Sequence, residues 1–465
     1  VRVREGSHFK LQWGLAGAAM GITGVILFGI LILLLALPFI LVPMLLPRQR
    51  PKDAKLRVAF VHPDLGIGGA ERLVVDAAVA LQRAGHEVCI FTARHESNHC
   101  FEETRDGTLS VRVFGDFLPR RVFGRFYAAC AYLRMCWVAL RIAFCERPAY
   151  DALIVDQVSI CLPILMLAKA FGIIFYCHYP DYLLTQRTSL LKKVYRAPLD
   201  LMEEMTTAVA DVVFVNSRFT AEVFREAFPL ICNGGVVPRV LYPALNLQEQ
   251  DKLAGLAKDS VEGLQAGEAL LISINRFERK KNVGLAVRAF AAMPKALQEK
   301  SRLVLAGGYD ERLPENVDHA KELELLAEQL GVQGRVLQMR SVSGVGKATL
   351  LRHAACLLYT PDKEHFGIVP LEAMHSRVPV VAVNSGGPLE TVVEGETGFL
   401  CPPEPTLWAK AIERILEDPA LRKRLGEAGR ARVAEQFSLE AFGQKLDETV
   451  KRLVLPPEEK KKKYL

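Results

Sequence analysis

The chain of 465 residues lacks any Asn-x-Ser/Thr sequon, and its ten cysteines fall at no paired spacing. Both absences point to a globular part that stays in the cytosol with reduced thiols rather than to a secreted disulfide scaffold. Excess charge is also scarce, because 59 Lys and Arg stand against 52 Asp and Glu for a formal +7. A bias that small fits an acidic small ligand or an anionic membrane face and is too slight to point to nucleic acid, which is not expected as a partner. With half its residues hydrophobic and a quarter charged, the chain is neither disordered nor fibrous, and it has material for two or three domains.

One absence is local. No charged residue occurs from Gly14 to Pro47, and Leu31 to Leu37 is almost pure Leu and Ile. Such a run predicts a transmembrane segment, and it is too long for a signal peptide. As one straight helix it would span about 51 Å against a hydrocarbon core of about 30 Å, so it must tilt, bend near Pro38 and Pro43, or place one end in the interface. Arg48, Arg50, Lys52, Lys55 and Arg57 follow it, against Arg2, Arg4 and Lys10 before it, which puts the large domain on the cytosolic side. Residues 1–55 are therefore read as membrane segment and basic linker.

After the linker, short apolar runs alternate with helical stretches, the pattern of buried parallel strands. Strands are expected at Leu56–His62, Glu87–Thr92, Ala152–Val155, Ile173–Cys177 and Val212–Val215, with a helix over Ala70–Ala84. The rhythm breaks over Pro229–Gly267, the expected domain connection, and resumes with strands at Ala269–Ile274, Arg302–Leu305, Arg335–Met339, Cys356–Tyr359 and Val380–Val383. The expected division is 56–245 for a first doubly wound domain, 246–435 for a second, and 436–465 for a last helix and basic tail. In such sheets ligands sit at the carboxyl ends of the strands, and a cleft between domains is the default site.

The chemistry-bearing stretches lie at those ends. Gly66-Ile-Gly68-Gly69 between the first strand and its helix offers N–H groups for a phosphate or a sugar hydroxyl, against the alternative of a turn chosen for tight fit. A dinucleotide site would want an acidic residue at the end of the second strand, which instead reads Phe91-Thr92-Ala93-Arg94 and excludes a nicotinamide enzyme. Ser343-Gly-Val-Gly-Lys347 fails as a nucleoside-triphosphate loop, since Ser341 and Ala348 stand where Gly and Ser or Thr are needed, and reads as a helix start. His178 ends an apolar strand, where functional side chains gather. Arg276 and Lys281 follow the first strand of the second half and together suit a diphosphate leaving group. Glu364-His-Phe366-Gly367-Ile368-Val-Pro-Leu-Glu372 sets two carboxylates eight residues apart across a glycine turn, suited to sugar and ribose hydroxyls. Asn384-Ser-Gly-Gly-Pro388 makes a similar turn. His95, His99 and Cys100 match no common zinc spacing, so no metal site is expected.

Together these residues resemble glycosyltransferase family 4, retaining enzymes of the GT-B fold marked by Glu-x7-Glu, here Glu364 and Glu372. Longer stretches, among them Phe60-Val-His-Pro-Asp-Leu-Gly-Ile-Gly-Gly-Ala-Glu, Phe175-Tyr-Cys-His-Tyr-Pro-Asp and Ile274-Asn-Arg-Phe-Glu-Arg-Lys-Lys-Asn, resemble the branch that adds mannose to lipid-linked N-glycan precursors. The resemblance implies an α/β fold of two Rossmann-like domains facing a cleft, a GDP-mannose donor, and an acceptor saccharide on dolichyl diphosphate. It implies work at the cytosolic face of the endoplasmic reticulum membrane, beside other mannosyltransferases of the pathway, without metal or other cofactor. By position, Arg276 and Lys281 would bind the diphosphate, Glu372 the ribose, Glu364 with the Phe366-Gly367-Ile368 backbone the mannose, and His178 the region of the reacting carbon. Gly68 and Gly69 would face the acceptor and donor phosphates. Another donor or lipid acceptor, or an inactive membrane scaffold of the same fold, remain the alternatives. The apolar stretch Arg120–Arg147 suits either a bilayer-lying helix or a buried one. Lys462-Lys463-Tyr464-Leu465 reads as a dilysine retrieval signal or as a plain basic tail.

Overall fold

The computed structural model describes residues 48–49, 51, 55–122, 126–184 and 190–455. The expected membrane segment and the dilysine tail lie outside these residues.

Two parallel sheets organise the chain. The first holds β1 (Arg57–His62), β2 (Glu87–Thr92), β3 (Ser110–Val113), β4 (Ala152–Asp156), β5 (Gly172–Cys177), β6 (Val212–Val215) and β7 (Arg239–Val240) in the order β3-β2-β1-β4-β5-β6-β7. The second holds β8 (Ala269–Ile274), β9 (Ser301–Gly307), β10 (Val336–Arg340), β11 (Ala354–Tyr359), β12 (Val380–Val383) and β13 (Gly398–Cys401) in the order β10-β9-β8-β11-β12-β13. Both orders reverse direction once, between β1 and β4 and between β8 and β11. Those reversals open a crevice at the carboxyl ends of the strands, the place where doubly wound sheets bind ligands.

Strands buried on both faces explain the unbroken apolar runs. Val58 and Phe60 of β1 face a cluster with Val74, Leu81, Phe442 and Leu446, while Ala59 and Val61 face another with Met135, Val138, Phe175 and Phe224. The second sheet divides its side chains in the same way around Trp408 on one face and Met374 and Phe437 on the other.

Three strands escaped the sequence reading. β3, β7 and β13 are short, and β3 lies at a sheet edge with its side chains half-buried or exposed, so no apolar run marks it. The stretch Pro229–Gly267 is accordingly not a plain connection, because it supplies the helix Pro229–Asn233, strand β7 and the helix Leu247–Gly255. The last helix, Leu439–Val454, crosses back to the first sheet. Its Leu439, Phe442, Leu446, Val450 and Val454 join that core, and a Cβ on Gly443 would lie 2.8 Å from Cβ of Ala80, so only glycine lets the two helices approach so closely.

Candidate active site

The helix Gly69–Arg83 begins directly after β1, with Gly68 as its extended N-cap residue. No side chain caps it from that position. Instead the Glu71 carboxylate folds back over the turn, so that a Cβ on Gly68 would lie 3.1 Å from its carboxyl carbon. Gly69 borders open space, with nothing within 4 Å of an added Cβ. The first turn is therefore accessible to a ligand, and Glu71 holds one side of it.

Glu71 leads inward. One of its oxygens lies 3.8 Å from Nε2 of His62, the last residue of β1, whose side chain is fully buried. His62 Nδ1 lies 2.8 Å from Oδ2 of Asp156, the last residue of β4. The other Asp156 oxygen, Oδ1, is 2.8 Å from Nε2 of His178, which follows β5 and keeps a side-chain exposure of 22% toward the cleft. Burial alone pulls the His62 imidazole down, but its contacts with Asp156 and Glu71 outweigh that and push it up to about 9. Asp156 is driven up by burial and, more strongly, down by His178 and His62, leaving it below the usual carboxylate range. Sequence reasoning found His178 and passed over His62 and Asp156, although the same signal, a polar residue closing an apolar strand, marks all three.

Beside His178 opens a cavity of 480 Å³ whose lining includes Tyr127, Tyr132, Gln157, Asp181, Arg196 and Glu203. Arg196 pairs with Asp181 at 2.9 Å and with Asp200 at 2.8 Å. Glu203 accepts hydrogen bonds from the backbone N–H of Asp181 at 2.8 Å and of Tyr182 at 3.0 Å. Burial pushes its carboxyl up to about 7, a trend that Asp181 reinforces and the two amides oppose.

The second half-site lies at the reversal between β8 and β11. Arg276 follows β8 with an exposed guanidinium, 2.8 Å from Glu278. Lys281 reaches Glu364, which follows β11, with 2.5 Å between Nζ and Oε2. Glu372 sits in the first turn of the short helix Val369–His375, buried, with Lys347 Nζ at 2.5 Å from Oε1 and Oε2 left without a partner. Burial raises its carboxyl despite Lys347. Ser343-Gly-Val-Gly-Lys347 is the helix start expected, with the Ser343 hydroxyl accepting from Gly346 N–H. What the sequence did not reveal is that this helix aims Lys347 at Glu372.

The Glu364–Ile368 turn is shaped by its neighbours. Gly367 adopts a left-handed φ of 83°, and a Cβ there would meet the Tyr359 hydroxyl at 2.8 Å. The second glycine turn supports it from below, with Gly387 N–H donating to the Glu364 carbonyl at 2.7 Å. Phe366 is buried against Tyr242 and Phe437, while Ile368 remains partly exposed. The two half-sites meet where the Tyr179 ring, next to His178, packs at a tilt against His365, next to Glu364, at a centroid distance of 3.9 Å. The structure thus brings Gly68, His178, Lys281, Glu364 and Glu372 to the facing ends of two sheets, with Arg276 at the rim.

Among the described residues no group of three or more His, Cys, Asp or Glu side chains gathers as a metal site, and all ten cysteines are free. His95 contacts the Thr104 hydroxyl at 3.0 Å, and the Cys100 thiol donates to the Ser97 carbonyl.

Two doubly wound domains with facing half-sites define a glycosyltransferase of the GT-B fold. The Glycosyltransferase Family 4 model matches residues 67–239 and the Glycosyl transferases group 1 model residues 257–432. Sucrose-phosphate synthase from Thermosynechococcus elongatus shares the fold with a TM-score of 0.66 over 86% of this chain and 99% of that one, at 23% identity. The chain belongs to the α-1,3/1,6-mannosyltransferase family. It is 48% identical over 415 residues to the alpha-1,3/1,6-mannosyltransferase ALG2 of Rhizomucor pusillus, covering 84% of this chain and 90% of the relative. It is likewise 48% identical to that of Homo sapiens, covering 88% and 99%.

Proposed function

We propose that this protein transfers mannose from GDP-mannose, with retention, to a saccharide carried on dolichyl diphosphate. It forms an α-1,3 linkage on the Man1 acceptor and an α-1,6 linkage on the Man2 product, or the two in the reverse order. The observation that carries this is the turn Glu364–Glu372, where two carboxylates are each paired to a lysine and His365 meets Tyr179, the neighbour of His178, together with the identity to the mannosyltransferases. Glu372 takes the ribose hydroxyls, Glu364 and the Phe366-Gly367-Ile368 backbone take the mannose, and Arg276 with Lys281 neutralise the diphosphate as it leaves. The leaving phosphate takes the acceptor proton on the same face. Arg276 and Lys281 supply the positive charge, so this reading includes no metal or other cofactor.

The acceptor saccharide enters the cavity beside His178, between the helices Tyr127–Cys145 and Leu190–Thr207. The first helix buries Met135, Val138 and Ile142 on the sheet and exposes Leu133, Trp137, Leu140 and Phe144; the second exposes Leu190, Val194, Leu201 and Met205. Among the described residues Tyr127–Cys145 is the one helix long and apolar enough to cross a membrane. Its partition into a buried and an exposed face fits a helix that lies against the sheet and meets the bilayer sideways, where a lipid-borne acceptor arrives. That assigns both readings of Arg120–Arg147 to one helix. The catalytic domains then work on the cytosolic face of the endoplasmic reticulum membrane.

A panel of nucleotide sugars with the purified full chain tests the reading. Transfer is expected from GDP-mannose to the mannosylated lipid acceptor, and its loss in folded Glu372→Ala and His178→Ala variants. Preference for another donor, or full transfer by Glu372→Ala, would overturn it.

A further inference from the structure

The chain of contacts behind His178 does more than fill space. Strands β1 and β4 end in His62 and Asp156, and His178 directly follows the neighbouring strand β5, so the sheet itself fixes the spacing of the three. Side-chain exposures of 0% for His62 and 2% for Asp156 place both beyond the reach of water and of any substrate. Buried ionic groups stabilise a fold poorly compared with apolar groups of equal volume. What this cluster supplies instead is geometry. Asp156 lies 2.8 Å from His62 Nδ1 with one oxygen and 2.8 Å from His178 Nε2 with the other, ion-pair distances without hydrogen-bond alignment, so the carboxylate stands beside Nε2 of His178. A carboxylate on one ring nitrogen selects the tautomer and the ring orientation together.

We propose that Asp156 and His62 are positioning residues for mannosyl transfer, fixing His178 as the Nε2–H tautomer with Nδ1 toward the reacting sugar, and that Glu71 ties this chain to the Gly68–Gly69 turn. The proposal rests on the reading that His178 stands at the reacting carbon. Other groups around His178 have different tasks. The Asn216 side-chain amide donates to its backbone carbonyl at 3.1 Å, and the Tyr176 ring lies at 4.8 Å. Asp181, Arg196 and Glu203 share the adjoining cavity, and Arg196 and Glu203 are committed to Asp181, Asp200 and backbone partners. Tyr179 turns to His365. Asp156 is the carboxylate that touches the His178 ring. Because His62 sits between Asp156 and Glu71, it carries its positive charge where both carboxylates need it, and Asp156 is not left as an uncompensated buried anion.

The test uses the full chain in detergent or nanodiscs. Asp156→Asn keeps the shape and frees the His178 tautomer. Its kcat is expected to fall at least about 10²-fold, with KM for GDP-mannose within about threefold, as expected of a lost positioning contact and not of lost donor binding. His62→Asn is expected to lower kcat about 10-fold and to move the alkaline limb of the kcat–pH profile. Nitrogen-15 spectra of histidine-labelled wild type should show His178 protonated at Nε2, and Asp156→Asn should show a mixture. Folded Asp156→Asn with wild-type kcat and pH profile overturns the proposal, as does an Nδ1–H tautomer in the wild type, which decides the matter even where the variant fails to fold. His178→Ala separates the two levels. An active His178→Ala sinks the reading of the site itself, whereas an inactive His178→Ala beside an active Asp156→Asn sinks the positioning chain alone.

Discussion

Gly387→Ala isolates the geometry of the donor turn from its chemistry, because Gly387 contributes no functional group. A Cβ at this position would lie 2.5 Å from the Phe366 carbonyl carbon, where ordinary contact begins at 3.4 Å. The difference is about 1 Å, and the obstacle is backbone, so no side chain can swing away to relieve it. Either the Gly386-Gly387 turn or the Glu364–Phe366 segment must move by that amount. Overpacking of this kind costs about 1–3 kcal/mol, which corresponds to a Tm decrease of roughly 2–12 °C for a domain of this size. A misplacement of about 1 Å costs on the order of 10²-fold in rate. Gly387→Ala is thus expected to melt modestly early and to lose mannosyl transfer about 10²-fold at temperatures where it is fully folded. Gly334→Ala is the control, since an added Cβ there meets nothing within 4 Å. Thermal melts and initial rates on the purified chain decide the matter. Wild-type kcat/KM in folded Gly387→Ala would show that the Glu364 turn does not need its present position.

Lys347→Ala strands the buried Glu372 carboxylate and should lower stability by about 3–5 kcal/mol, whereas Lys347→Ala with Glu372→Ala should melt near wild type and still fail in a donor-binding titration. Glu203 has a folded pKa of about 7 against an ordinary 4.5, so it binds its proton more tightly in the folded state. Its contribution is complete below pH 4.5 and is lost as the pH rises through 7, and Glu203→Gln should flatten that part of the curve of Tm against pH. Leu133→Asp with Trp137→Asp removes two large apolar groups from the exposed face of the helix Tyr127–Cys145. At about 1.5–3 kcal/mol for each such side chain, KM for the lipid-linked acceptor in vesicles should rise roughly 10-fold or more while KM for GDP-mannose holds.

The sheets were legible because parallel strands buried on both faces write continuous apolar runs, and β2, β6, β8 and β12 lie where those runs predict. β3 and β7 were not, since edge strands of four and two residues carry no such run. The motif residues were legible wherever they close a strand or open a helix. The pairings were not, because Lys347–Glu372 spans 25 positions and Lys281–Glu364 spans 83, distances set by the crossover order of the sheet rather than by local pattern. His62 and Asp156 stood in plain sight at strand ends. Their significance appears only when β1 is known to lie between β2 and β4, and β4 between β1 and β5.

The same topology explains how two half-sites on separate sheets stay in register. The helix Arg218–Ala227 of the first half has its N-terminus held by the second, where Glu390 accepts from the N–H groups of Arg218 at 2.8 Å and Phe219 at 3.0 Å, with the Tyr242 hydroxyl donating to it at 2.9 Å. A carboxylate on a helix N-terminus is favoured by the helix dipole, so this junction has a preferred seat and not merely a contact. Glu390 belongs to the turn of helix that follows Gly386-Gly387, the pair that supports the Glu364 segment. The residues that clamp the two halves together are therefore continuous with those that shape the donor turn. A shift in the angle between the halves cannot leave the Glu364–Ile368 backbone untouched. Cleft geometry and donor geometry are one mechanical unit here, and Glu390→Gln, which keeps the shape but removes the charge, should raise KM for GDP-mannose although Glu390 lies outside the proposed donor contacts.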